Sequence, residues 1–97
     1  MNEAALRKRI VSALRDYSGF WVVTHGGQFQ QGGLPDIIGC YGGWFIGLEV
    51  KMPGKEHTLT ARQTHALKSI RDAGGKAKMV TSISEAMDFV YGVSPLK

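Results

Sequence analysis

From about Glu3 to Tyr17 the apolar positions Leu6, Ile10, Ala13, Leu14 and Tyr17 recur at spacings of three and four, which stacks them on one face of an amphipathic helix. The period then changes. Phe20-Trp21-Val22-Val23-Thr24-His25 is rich in aromatic and β-branched residues and predicts a strand. Gly26 to Pro35, with four glycines and three glutamines, predicts a loop. The runs Asp36 to Tyr41 and Trp44 to Lys51 predict two more strands, joined by Gly42-Gly43, a pair that tolerates the positive φ of a type I′ turn. A polar connection from Met52 to His57 follows. Thr60-Ala61-Arg62-Gln63 is a capping-box sequence opening a second helix, whose stripe is Ala66, Leu67, Ile70 and Ala73 and whose stop is Gly74-Gly75. Ala77 to Val80 predicts a fourth strand, and Ser82-Ile83-Ser84-Glu85 a second capping box that opens a last helix through about Tyr91. The order αβββαβα describes an α/β fold, with the fourth strand expected to join the sheet parallel to a neighbour through a crossover of the usual hand.

A two-residue turn also sets the register. Tyr41 faces Trp44, and counting outward pairs Cys40 with Phe45, Gly39 with Ile46, Ile38 with Gly47, Ile37 with Leu48 and Asp36 with Glu49. Opposed residues share a face with Cβ atoms roughly 4.5–5.5 Å apart, and strand alternation adds Lys51 to that face. Opposed acids repel, and desolvation raises the cost, so the pair calls for a proton, a cation or a functional reason. Hard oxygen donors suit Mg²⁺ or Mn²⁺. The alternative is an exposed hairpin face, with the acids in water and Lys51 paired to Glu49.

At 97 residues the chain is expected to be one domain, residues 1–97, with a modest core. Hydrophobic content of 43% argues against disorder. A formal charge of +4 leans towards a polyanionic partner. The single cysteine, Cys40, excludes an internal disulfide and a thiolate metal cluster, and fits a reducing compartment. No signal-peptide core opens the chain and no apolar run is long enough to span a bilayer, so the expectation is a soluble cytoplasmic protein without a membrane partner.

Pro35-Asp36, the interval to Glu49, and Glu49-Val50-Lys51 resemble the PD-(D/E)XK nuclease signature, and αβββαβ is that superfamily's core order. Within it, Glu49 to Lys55 followed by Leu59-Thr60, Gln63 and Leu67 resembles the stand-alone VRR-NUC nucleases of phages and bacteria, relatives of archaeal-type Holliday junction resolvases. The resemblance spans roughly Glu3 to Val80. It implies a restriction-endonuclease-like core with a mixed central sheet flanked by helices, plus an extra C-terminal helix. It further implies a Mg²⁺- or Mn²⁺-dependent deoxyribonuclease acting on junction or branched DNA, working as a homodimer in a bacterial or phage-infected cell. Asp36, Glu49 and the Val50 carbonyl would hold the ion, and Lys51 would orient or deprotonate the attacking water. Glu3 matches the family's additional acidic residue, although a charge at a helix N-terminus is favourable in itself. Gln63 matches the active-site glutamine, a role that competes with its place in the capping box. The family's arginine-rich motif is matched only loosely, by Arg7, Lys8 and Arg9.

The remaining polar residues carry two readings each. Gln28, Gln30 and Gln31 are candidates for phosphate or base-edge contacts, and Lys55 and Arg62 for phosphate contacts beside the active face. Arg7, Lys8, Arg9 and Arg15 contact nucleic acid or form a solvated face. His25, His57 and His65 lack zinc-site spacing, and His25 either contacts substrate or lies on the surface. Trp21 and Trp44 read as core or interface. The glycine-rich loop lacks the ending of a P-loop, so no nucleotide cofactor is expected. The rival function is a non-catalytic nucleic-acid-binding module that keeps the nuclease fold, and a third reading is an assembly protein with a fortuitous acidic pair.

Overall fold

A computed structural model describes residues 1–24, 32–92, 94 and 96 of the chain. The first helix, α1 (Glu3–Tyr17), opens with Asn2 as N-cap, whose side chain accepts the Ala5 N–H. Its buried face is Leu6, Ile10, Val11 and Leu14. Two positions differ from the periodicity: Val11 joins the core, and Tyr17 is 67% exposed. Tyr17 packs at a tilt on Tyr91, whose hydroxyl donates to the Ser18 carbonyl at 2.6 Å, with the Leu14 carbonyl 3.1 Å away, and so ties the last helix to the end of the first.

The strands are β1 (Phe20–Val23), β2 (Ile37–Tyr41), β3 (Trp44–Val50) and β4 (Lys76–Val80), in the order β1-β2-β3-β4. β1 and β2 are antiparallel, as are β2 and β3, while β4 runs parallel to β3. The hairpin register is the one expected from the turn, from Tyr41↔Trp44 to Ile37↔Leu48. Gly42 and Gly43 both take positive φ, 62° and 87°, as a type I′ turn requires. Gly39 is needed for space. A Cβ there would collide with the Phe20 carbonyl and the Trp21 ring.

A short 3₁₀ turn at Glu56–Thr58, inside the polar connection, precedes α2 (Ala61–Asp72), which is the crossover between β3 and β4. The Thr60 capping box is complete, and Leu67 is buried, whereas Ala73 falls just beyond the helix and is exposed. The last helix, α3 (Ile83–Tyr91), has Ser82 as N-cap. Its capping box differs from expectation in one arm: Glu85 reaches past Ser82 to accept the Thr81 N–H at 2.7 Å.

Strand alternation sorts the core. Trp21, Ile37, Ile46, Leu48, Val50 and Val80 point to one face and pack with Leu6, Ile10 and Leu14 of α1 and Ala86 and Val90 of α3. α2 covers part of the other face, where Ile70 lies over Gly47 and Gly75. Phe20, Val22 and Phe45 on that side stay exposed. Trp44 is only half-buried and its indole N–H donates to the Ser94 carbonyl. The α/β class and the mixed four-stranded sheet flanked by helices therefore agree with the sequence. Among the described residues no helix is long and apolar enough to cross a membrane.

Candidate functional site

Three elements converge at the end of the hairpin away from its turn. Asp36 lies at a bend just before β2, Glu49 is the penultimate residue of β3, and Glu3 is the first residue of α1. Their carboxylate oxygens lie within 4.8 Å of one another, and no other group of three His, Cys, Asp or Glu side chains comes so close among the described residues. Asp36 is 3% exposed and Glu49 1%, so the acids do not sit on a solvated hairpin face.

The approach of Asp36 to Glu49 is made differently from simple cross-strand pairing. The ladder stops at Ile37↔Leu48. Beyond it, Asp36 Oδ2 accepts the Val50 N–H at 2.9 Å, so a side chain replaces the next backbone bond. Thr24 secures the other flank: its N–H donates to the Asp36 carbonyl and its hydroxyl to that of Pro35. Thr24 was not singled out in the sequence, because the β1–β2 register is set across a long connection rather than by a tight turn.

Glu49 Oε2 accepts Gln63 Nε2 at 3.0 Å, while Gln63 Oε1 accepts the Thr60 N–H at 2.9 Å. The two roles expected to compete are therefore filled together, one by each end of the amide. Glu49 Oε1 has no partner, alone among buried side-chain polar atoms of the described residues. A buried unsatisfied oxygen in an acidic cluster is costly unless a proton or cation reaches it.

The electrostatics reflect this. Burial first, and the Asp36 charge second, push the Glu49 carboxyl up to about 8 from an ordinary 4.5. The retained proton removes one of two adjacent buried charges. Glu3 adds to the rise and Lys51 opposes it. Lys51 is 8% exposed, and its N–H donates to the Val80 carbonyl, extending the β3–β4 ladder by one residue. It does not pair directly with Glu49; among the described residues the ion pairs are Lys68–Asp72 and Lys78–Glu85.

The other predicted contacts distribute unevenly. Lys55 is exposed in the turn after β3. Arg62 lies against Gly32 and Gly33, where an added Cβ would strike its side chain or carbonyl. Arg7 and Lys8 line a cleft between α1 and β1, together with Arg15. His57 and His65 are exposed, away from the acids. His25, Gln28, Gln30 and Gln31 lie outside the described residues. No family model matches the chain, and no curated protein or solved structure matches it.

Proposed function

We propose that this chain is a Mg²⁺- or Mn²⁺-dependent DNA phosphodiesterase with a restriction-endonuclease-like core, as its resemblance to the VRR-NUC branch of the PD-(D/E)XK nucleases implies. The observation that carries the reading is the cluster of Glu3, Asp36 and Glu49 with one buried carboxylate oxygen left without a partner. The donor set fits the ion: every side-chain donor is a hard oxygen, and the nearby Lys51 offsets only one of three acids.

In this reading Asp36, Glu49 and Glu3 hold the ion, with the Val50 carbonyl adjoining them. When bound, the ion polarises a phosphoryl oxygen and eases ionisation of water near neutral pH. Gln63 engages Oε2 of Glu49 and thereby leaves Oε1 as the free donor. Asp36 is held by the Val50 N–H, so its carboxylate stays in place without the ion. Lys51, two residues beyond Glu49, orients the attacking water and offsets charge gathering on the phosphate. The substrate preference in this proposal is junction or branched DNA, met by a homodimer whose two sites face two strands.

Supercoiled plasmid and a synthetic four-way junction, each incubated with Mg²⁺, Mn²⁺ or EDTA, test the proposal. Scission with metal, none with EDTA, and a loss of at least about 10²-fold in Lys51→Ala are the expected results. DNA binding without scission in any metal would instead assign the chain to the non-catalytic alternative. Sedimentation at micromolar concentration tests the homodimer.

A further inference from the structure

The α1–β1 cleft has a volume of about 560 Å³ and is lined by Ala4, Ala5, Arg7, Lys8, Val11, Arg15 and Val23. Among the described residues three cations line it and no acid does. Among the described residues none of the three makes an ion pair, and Arg15 spends one N–H on the Trp21 carbonyl. Three uncompensated positive charges beside an apolar floor of Val11 and Val23 suit a ligand that carries repeated negative charge and apolar surface together.

Position narrows the choice. The cleft begins at Ala4, the residue after Glu3, so the acidic cluster and the cationic cleft meet in the first turn of α1. An anionic chain held in the cleft would thus reach the acids at its end. The helix rises about 12 Å from Arg7 to Arg15, a span that only a few phosphates of one strand can occupy. A floor of valines suits the apolar faces of bases that are unpaired, which an intact duplex keeps stacked in its interior. Among the described residues no aromatic side chain lines the recess, so the contacts described there are to phosphate and aliphatic surface and sequence preference should be weak.

We infer that the α1–β1 cleft binds a short stretch of unpaired strand flanking the phosphate to be cut, with Arg7, Lys8 and Arg15 on its phosphates and Val11 and Val23 against its sugars and bases. The choice of a nucleic-acid strand rests on the hydrolytic reading of the acidic cluster.

Fluorescence anisotropy of a labelled eight-nucleotide oligothymidylate, measured in EDTA, tests this without requiring catalysis. The single strand should bind more tightly than a duplex of equal length. Arg7→Ala and Lys8→Ala should each weaken it about three- to tenfold and lower the salt slope by about 0.7. Lys68→Gln, which removes an exposed cation on α2, should stay within about twofold of wild type. Val23→Trp and Ala4→Trp fill the cleft from opposite walls without altering charge, and each should weaken binding; thermal melts show which of the two retains the fold. Equal losses in Lys68→Gln and Lys8→Ala, tighter binding of duplex, tighter binding of anionic vesicles, or no effect of a folded tryptophan variant would each overturn the inference. If wild type binds as stated yet cuts nothing with metal, the hydrolytic reading falls and the cleft stands. If scission depends on Lys51 but Arg7→Ala and Lys8→Ala bind like wild type, the cleft falls and the hydrolytic reading stands.

Discussion

Gln63 and Glu49 are fastened through a 3.0 Å hydrogen bond from Nε2 to Oε2, and the opposite end of the same amide caps α2 through the Thr60 N–H. One side chain couples the start of a helix to the acidic cluster. Gln63→Ala removes both bonds, with an expected cost of about 1 kcal/mol in urea unfolding. It also frees Glu49 to rotate, so Mn²⁺ affinity measured by isothermal titration should fall about tenfold. Unchanged Mn²⁺ binding in a folded Gln63→Ala protein would detach this residue from the cluster.

Asp36 has two separable duties. Its Oδ2 accepts the Val50 N–H, and its charge faces Glu49. Asp36→Asn keeps an acceptor for Val50 and removes the charge, so it should fold near wild-type stability while losing Mn²⁺ binding and scission. Asp36→Ala also strands a buried N–H, which costs about 1–3 kcal/mol. Equal stability of the two variants would show that the Val50 bond contributes nothing.

The pH dependence of stability has an unusual sign for a carboxylate. Glu49 holds its proton to about pH 8 in the fold, whereas the unfolded chain releases it near 4.5. Between these values the folded state binds the extra proton, so stability is greatest at the acid end and falls with rising pH by up to about 1.4 kcal/mol per unit. Metal-free melts across this window should show a declining Tm, and Glu49→Gln should flatten the decline. If the cluster takes Mn²⁺ in place of the proton, as proposed, saturating Mn²⁺ should restore Tm at the upper end. A wild-type Tm that rises across the window without metal would contradict the buried protonated state.

Gly39 tests the packing of β1 on β2. A Cβ there would enter the space of the Phe20 carbonyl and the Trp21 ring, both tied to the strand pairing Trp21↔Gly39. Gly39→Ala should therefore cost about 1–3 kcal/mol, since neither backbone nor buried ring yields easily. A calorimetric Tm equal to wild type would mean that β1 shifts freely.

Local chemistry made much of the architecture legible. Gly42-Gly43 sets a register that propagates residue by residue as far as Ile37↔Leu48, which already brings Asp36 and Glu49 to the same end of the hairpin. The Thr60 and Ser82 caps and the period of α1 are likewise decided within a few residues of chain. Tertiary structure decided what depends on neighbours distant in sequence. It buried Asp36 and Glu49, closed the cluster with Glu3 from the start of α1, and let Gln63 serve cap and cluster at once. It also exposed Tyr17, buried Val11, and turned Arg7, Lys8 and Arg15 towards one cleft. Those outcomes depend on which element packs across each face, and a spacing rule confined to one helix or strand carries no term for a partner supplied by another.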